Sequence, residues 1–146
     1  MKYFSIEELT ASTEARKMGI DNTPTPEVVV NLTELVEAVL DPLREKYGRP
    51  IHVSSGYRCP RLNKAVGGAA NSQHTTGEAA DIYVSRAREL AELFSLIYYT
   101  LPFDQLIWER GNDEAPAWIH VSYREGTTVG SAYAMTDISI TPINQH

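Results

Sequence analysis

The sequence has little cysteine and no long apolar run. Cys59 is the single cysteine, so no intramolecular disulfide can form and nothing marks an oxidising compartment. No apolar stretch approaches the roughly 20 residues that a membrane-spanning helix needs. The start, MKYFSIEELTASTEARKMG, lacks the apolar h-region of a signal peptide. We therefore expect a soluble protein made in the cytoplasm, with no membrane partner, which reaches any other destination without a classical signal.

Basic residues are also in the minority. The 146-residue chain carries 13 Lys and Arg against 19 Asp and Glu, for a formal net charge of -6. A nucleic-acid-binding surface needs clustered cations to neutralise phosphates, so this balance argues against a nucleic-acid partner. A cationic spot inside one cleft remains compatible with it, because net charge says little about a single cleft.

Capping and breaking residues predict several helices in the first third of the chain. Ser5 and Glu8 form a capping box at the start of a short helix. Gly19 closes a second one, and Thr25, followed by proline, begins a third with an apolar face at helical spacing. Pro42 lies within that apolar pattern and should kink or end the helix early, and Gly48 should finish it.

The rest of the chain reads as strands with one further helix. We expect strands at residues 51–54 and 79–84, and a helix capped by Ser85 and stopped by Pro102. The alternating runs DQLIWE and WIHVSY predict a hairpin with a long loop, and AYAMTDISI predicts a last strand. With 42% hydrophobic residues, one ordinary core, and no linker or repeat, we expect a single domain over residues 1–146, monomeric, of the α+β class with a central antiparallel sheet flanked by helices.

His74, Asp81 and His120 are the candidate metal ligands. A catalytic zinc site typically has three protein ligands and a water. Along an extended strand His74 and Asp81 would be separated by about 23 Å, but Gly77 between them lets the chain double back. His120 lies mid-strand between apolar residues, so its imidazole points to the face opposite theirs. The helical HExxH signature is absent. Taken alone, a histidine in a strand is more often a structural residue than a ligand, and Asp81 is more often a hydrogen-bonding residue of a turn or strand start.

Three motifs follow one another in the order SGYRCPRLN, SQHTTGEAAD and WIHVSY. In this order they resemble the M15 family of zinc peptidases, especially its D-Ala-D-Ala carboxypeptidase-like branch, whose pattern is S-G-Y-R-[ST]-P, then S-x-H-x-x-G-x-A-x-D, then W-x-H. The N-terminal part looks like the small single-domain members, so the resemblance covers nearly the whole chain. It implies a Zn²⁺ ion held by His74, Asp81 and His120, on a compact α+β fold shared with the hedgehog signalling domain.

The same resemblance assigns further residues around the metal. Arg58 matches the family arginine that faces the substrate, where a guanidinium can hold a carboxylate or a developing oxyanion. Ser72 matches a serine in a substrate-binding or supporting position; its alternative is an ordinary loop serine. Cys59 stands where serine is usual. We expect it to be a small packed residue rather than a nucleophile, because no dedicated partner accompanies it.

The catalytic base departs from the commonest pattern. Many family members place an acid three residues before the last histidine, where this chain has Ala117. Members of the small branch carry a glutamate at the end of the preceding strand, and Glu109 fits that position. The following loop is lengthened, so Asp113 and Glu114 are alternatives, although both fit solvated turn positions. His52 and His146 match no family ligand.

The resemblance implies a hydrolase, a zinc metallopeptidase that cuts peptidoglycan stem peptides at D-Ala-D-Ala or at L-Ala-D-Glu bonds. The lack of a recognisable signal peptide or wall-binding module suits an endolysin-like enzyme of phage or prophage type, released to the cell wall by a phage-type route, or a bacterial relative of such an enzyme. The competing hypothesis is a non-catalytic, zinc-stabilised module on the same fold that binds cell wall or peptide. A metal-free globular domain is a third.

Overall fold

The computed structural model describes residues 1–126, 130–135 and 140–143. Helices occupy most of its first half and a sheet most of its second. The helices span Ile6–Thr10 (α1), Thr13–Met18 (α2), Pro26–Leu35 (α3), Asp41–Tyr47 (α4), Pro60–Ala65 (α5) and Glu89–Thr100 (α6). Among the described residues, no helix combines the length and the apolar character that would let it cross a membrane.

A mixed sheet lies against these helices. Its strands are His52–Ser55 (β1), Ala79–Tyr83 (β2), Gln105–Glu109 (β3), Trp118–Ser122 (β4), Ser131–Met135 (β5) and Ile140–Pro142 (β6). They lie in the order β1-β2-β4-β3-β5-β6. The α+β class is confirmed, and so is the hairpin of β3 and β4. One pairing departs from the antiparallel expectation, since β3 and β5 run parallel.

The capping residues act as their spacing predicts. Ser5 Oγ accepts a hydrogen bond from the Glu8 amide, and Thr25 Oγ1 accepts one from Val28. Gly19 ends α2 with φ 65° and Gly48 ends α4 with φ 80°, a left-handed conformation that glycine adopts without the steric penalty of a Cβ.

Two boundary predictions differ from the structure. Pro42 does not end the helical run. α3, a π-helical turn at Val36–Leu40 and α4 follow one another without a break, and the wider turn lies directly before Asp41 and the proline, which lacks the N–H of a regular α-helical turn. Ser85 is not the cap of α6. That helix begins at Glu89 after a bend, and its N-cap Arg88 makes no side-chain cap bond. The last predicted strand is split between β5 and β6, and residues 136–139 lie outside the described chain.

Alternation along the strands gives the sheet two different faces. One face is buried against the helices and carries apolar side chains: Ala80 and Ile82 of β2, Leu106 of β3, and Ile119 and Val121 of β4. Because successive side chains point to opposite faces, the residues between them face the other side. That second face carries the polar residues of the candidate site.

Candidate active site

Strand register brings the predicted ligands Asp81 and His120 side by side. Asp81 of β2 pairs directly with His120 of β4, and His120 pairs on its other side with Ile107 of β3. Directly opposed residues in antiparallel strands have Cβ atoms only about 4.5–5.5 Å apart. The carboxylate and the imidazole therefore share the open face of the sheet at its centre.

His74 reaches the same point from a short 3₁₀ turn, Gln73–Thr76. The turn starts where Ser72 Oγ accepts the His74 amide and ends at Gly77, which has φ 78°. An added Cβ at Gly77 would approach Val28 Cγ1 to 2.9 Å, so this position is restricted by space as well as by backbone conformation. The reversal expected at Gly77 is confirmed, and it buries His74 to 3% exposure.

The donor atoms of His74, Asp81 and His120 converge. Asp81 Oδ1 lies 3.3 Å from His74 Nε2 and 3.0 Å from His120 Nδ1, and one donor atom from each residue falls within 4.8 Å of the others. His74 Nδ1 lies 2.7 Å from the carbonyl oxygen of Gly56. Since a carbonyl can only accept, Nδ1 carries the proton and Nε2 presents its lone pair toward Asp81.

These three residues fit a metal ion. Ligands about 2.1 Å from a tetrahedral zinc ion are separated from one another by about 3.4 Å, close to the 3.0 and 3.3 Å observed. The proton on the outer nitrogen of His74, donated to a backbone carbonyl, is the usual supporting contact of a metal-bound histidine. Three protein ligands also leave a fourth position for water or substrate, as in catalytic rather than structural sites.

The electrostatics of Asp81 suit the same role. Burial alone would raise the pKa of this carboxyl group, but its contacts with His120 and His74 outweigh burial and hold the pKa well below the usual value. The carboxylate therefore remains ionised at neutral pH, and it offers an anionic oxygen between two imidazoles.

A cavity of about 540 Å³ opens above the three ligands. Its volume lies within the range of small-molecule sites, about 300–1,000 Å³. Three residues predicted from the sequence line it, namely Arg58, Ser72 and Glu109. Asp113 and Glu114 do not: both are exposed in the β3–β4 loop, where Asn112 Oδ1 accepts the Glu114 amide.

Glu109 is a diagonal cross-strand neighbour of the candidate ligand His120. It ends β3, where it pairs with Trp118, two residues before His120, and diagonal neighbours of this kind are about 7–8 Å apart at Cα. Burial raises the pKa of Glu109, an effect that the nearby His120 partly opposes. The side chain is thus a half-buried carboxyl group that lines the same cavity as the three candidate ligands and interacts electrostatically with His120 and Asp81.

Arg58 also lines the cavity. Its amide donates to the carbonyl oxygen of His74 at 3.0 Å, so its backbone is tied to the turn that carries that ligand. The guanidinium is half-buried, and its Nε has no hydrogen-bond partner among the described residues. The neighbouring Cys59 is the N-cap of α5, where its Sγ accepts the Leu62 amide. Cys59 therefore caps the start of α5 with its thiol, a role that the hydroxyl of a serine could also fill.

Sequence reasoning missed two residues that shape this site. Arg124 lines the cavity and forms a fork with Glu78, with Nε–Oε2 2.6 Å and Nη2–Oε1 3.1 Å. Continuing the alternation of β4 past His120 points to position 124, a signal that was available. Gly56 was missed because its role depends on α1, which is distant in sequence: an added Cβ would meet the Leu9 carbonyl oxygen at 2.1 Å.

Replacing Glu78 with glutamine should destabilise the protein in a pH-dependent way. Burial favours a raised pKa, but hydrogen bonds from Arg124 and Thr76 lower the pKa of Glu78 below its ordinary 4.5. A folded-state pKa below the unfolded-state pKa stabilises the folded protein. This stabilisation is fully present above the unfolded-state pKa and is lost as the pH falls through the folded-state pKa. We expect Glu78→Gln to cost about 1–3 kcal/mol at pH 7 and progressively less below pH 4.5.

Urea unfolding in metal-free buffer, repeated at several pH values, measures this difference. Glu114→Gln, in the exposed loop, is the matched control and should follow the wild type throughout. A cost for Glu78→Gln that stays constant from pH 7 to pH 3 would contradict the ion-pair explanation.

The structure describes one of the two remaining histidines, His52, and it is not part of the cluster. His52 is on β1, where its ring is 5.1 Å from that of Tyr83. His146 lies outside the described residues.

A family model described as Peptidase M15 matches residues 2–122, which include the three candidate ligands together with Arg58, Ser72 and Glu109. No curated protein matches the chain.

Proposed function

The chain belongs to the peptidase M15 family, and on this basis we propose that it is a zinc-dependent peptidase that hydrolyses peptidoglycan stem peptides. Family membership implies a hydrolase. We further propose that the metal is zinc and the substrate a peptidoglycan stem peptide, cut at a D-Ala-D-Ala or an L-Ala-D-Glu bond. The observation that carries the proposal is the convergence of His74, Asp81 and His120 in one cavity with Glu109 and Arg58.

The donor set suits zinc better than magnesium or calcium. Two imidazole nitrogens and one carboxylate form a borderline-soft set with tetrahedral spacing, whereas hard cations prefer oxygen ligands. When bound, zinc polarises a carbonyl group and lowers the pKa of a coordinated water toward about 7. His74 and His120 would hold the ion through neutral nitrogens, and Asp81 through its ionised oxygen.

Three side chains of the protein would have separate roles in hydrolysis. Glu109 would accept the proton of the attacking water and return it to the leaving amine, as a general base and then a general acid. Arg58 would hold a substrate carboxylate or the developing oxyanion. Ser72, which already accepts the His74 amide, would support that ligand's position.

The proposal also covers the partner, the oligomeric state and the location of the protein. Its partner would be a peptidoglycan peptide, with no nucleic acid or membrane, and the enzyme would act as a monomer. Synthesis in the cytoplasm and release to the cell wall by a phage-type route would bring it to that substrate.

Digestion of purified peptidoglycan tests the function directly. The zinc-loaded protein should release fragments with new amino and carboxyl termini, and mass spectrometry of these fragments identifies the bond that is cut. Peptidoglycan left intact at a protein concentration where a known lytic peptidase digests it would contradict the proposal.

Gly56→Ala should weaken zinc binding by about 10- to 100-fold, the usual effect of losing a contact that supports a metal ligand. The added Cβ would displace the backbone away from Leu9, and this moves the carbonyl that orients His74. Titration against a chromogenic chelator measures the affinity. Ser95→Ala, at an exposed position on α6 that does not line the cavity, is the control, and equal affinities for the two variants would contradict this role.

A further inference from the structure

Asn22, in the connection between α2 and α3, reaches with its side chain the segment between β1 and α5. Its Nδ2 donates to the carbonyl oxygen of Thr10 at 2.9 Å and to that of Tyr57 at 3.0 Å. Its Oδ1 accepts the Cys59 amide at 2.8 Å. An asparagine side chain has two N–H donors and one carbonyl oxygen, so all three are engaged. Two of the three bonds go to the residues directly before and after Arg58.

The peptide groups on both sides of Arg58 are therefore held by one side chain. The group before Arg58 carries the Tyr57 carbonyl, which accepts from Asn22. Its N–H donates to the carbonyl oxygen of His74 at 3.0 Å. The group after Arg58 carries the Cys59 N–H, which donates to Asn22. Because peptide groups are planar, the orientation of these two planes defines the backbone angles of Arg58.

The guanidinium of Arg58 depends on this backbone, because its own contacts are weak. Among the described residues it makes one hydrogen bond, from Nη1 to Ser55 Oγ, and at 3.5 Å this bond is long. The same side chain lines the metal-site cavity and interacts electrostatically with the candidate ligand Asp81. A small rotation of the backbone is amplified along a side chain of this length, so it would move the charge relative to the metal ligands.

We propose that Asn22 positions Arg58 for the substrate by holding the peptide groups on both sides of it. The inference rests on the proposed peptidase function, in which Arg58 holds a carboxylate or the developing oxyanion. The two flanking groups require opposite partners, since Tyr57 presents a carbonyl oxygen and Cys59 an N–H. A side-chain amide can serve both, whereas an ionised carboxylate cannot donate and an aliphatic side chain can do neither.

The support of the metal ligand His74 is separate from that of Arg58. His74 Nδ1 lies 2.7 Å from the Gly56 carbonyl oxygen, and the N–H of the same peptide group, on Tyr57, donates to the Leu9 carbonyl oxygen at 2.8 Å. Loss of the Asn22 amide leaves both of these contacts in place. Zinc affinity should therefore stay near wild type in a variant of Asn22, in contrast to Gly56→Ala.

Hydrogen exchange of three successive amides tests the positioning without reference to activity. In Asn22→Ala the Cys59 amide loses its acceptor, and the Arg58 amide belongs to the peptide group whose carbonyl loses its donor. Both should exchange about 10-fold faster than in the wild type. The Tyr57 amide should keep its wild-type rate, because its acceptor is on Leu9.

Thr23→Ala is the matched control, since Thr23 is the exposed neighbour of Asn22 and its hydroxyl donates to Asp21. All three amides should exchange at wild-type rates in this variant. Equal acceleration of the three amides in Asn22→Ala would show a loss of overall stability alone, and it would overturn the proposal. Unchanged rates in Asn22→Ala would overturn it as well.

A double-mutant cycle tests whether Asn22 acts through Arg58. The substrate is the stem pentapeptide L-Ala-D-Glu-L-Lys-D-Ala-D-Ala, which contains both candidate bonds, and all proteins are loaded with zinc. Asn22→Ala should lower kcat/KM by about 10- to 100-fold, the effect of a misplaced substrate-binding group. In the Arg58→Ala background the same change should have almost no further effect. Equal losses in both backgrounds, or wild-type kcat/KM in Asn22→Ala, would contradict the positioning role.

Asn22→Asp is the second variant, and the cycle is run with it if Asn22→Ala does not fold. Aspartate has the same size and keeps an acceptor for Cys59, but it loses the donors to Thr10 and Tyr57. Its expected effects are a similar loss of kcat/KM and faster exchange of the Arg58 amide, and the absence of both would overturn the proposal.

Failure of the peptidase function can be told apart from failure of this inference. If the wild type does not cleave the pentapeptide, the peptidase function fails, and the same cycle is measured on the Kd of the pentapeptide by calorimetry. The exchange rates of the three amides then still decide whether Asn22 holds Arg58. If the wild type cleaves the pentapeptide but the exchange rates do not respond to Asn22→Ala, the function stands and the positioning role is wrong.

Discussion

A chelator should abolish hydrolysis by this protein, and added zinc should restore it. The three candidate ligands account for this result, since they would hold the zinc ion and leave a fourth position open, where the ion would activate a water for attack. Asp81→Asn should lower zinc affinity by at least about 100-fold, because a lost ligand costs more than a lost supporting contact. Asp81 is also the central member of the cluster, as its Oδ1 faces both histidine nitrogens.

Asp113→Asn is the matched control for this experiment. It changes a carboxylate of the same type in the exposed loop outside the cavity, and it should keep wild-type affinity and activity. Metal content by mass spectrometry and peptide release by chromatography are the measurements. Full activity in protein shown to be free of metal would contradict the zinc mechanism.

Glu109→Gln should lower kcat by about 10²–10⁴-fold, the usual contribution of general acid–base catalysis, while zinc remains bound. Glutamine keeps the size of the side chain but cannot accept the water proton, and position 109 is not one of the three ligands. Zinc affinity should therefore stay near wild type, which distinguishes this variant from Asp81→Asn. Single-turnover assays on a muropeptide, together with a zinc titration, give both numbers.

Glu114→Gln is the control, since Glu114 lies in the exposed loop and does not line the cavity. If Glu114→Gln or Asp113→Asn loses activity while Glu109→Gln does not, the base has been assigned to the wrong residue. If the wild type binds zinc and peptide without hydrolysing either substrate bond, the non-catalytic binding module is the better description.

Local signals in the sequence predicted much of the fold correctly. Ser5, Gly19, Thr25 and Gly48 act within one or two helical turns, so their effects can be read without tertiary information. The positions of β1 to β4 were also predicted, because alternation between a buried and an open face extends over the length of each strand. The same alternation, together with the three motifs, predicted His74, Asp81 and His120 as metal ligands.

Features that depend on distant contacts could not be predicted in the same way. The parallel pairing of β3 with β5 joins strands whose local patterns say nothing about direction. Gly56 requires knowledge that α1 packs against it, and the ion pair of Glu78 with Arg124 joins positions that are 46 residues apart. The start of α6 was misplaced because Ser85 is a good cap by composition, although the chain bends there before the helix begins.

The distribution of the ligands along the chain has a consequence for folding kinetics. His120 lies 39 residues after Asp81, and both α6 and β3 lie between β2 and β4 in the sequence. Contacts over such separations form late, because loop closure is entropically costly. The metal should therefore bind after the rate-limiting step of folding. An interaction absent from the transition state stabilises only the native state, so zinc should act mainly by slowing unfolding, with little effect on the folding rate.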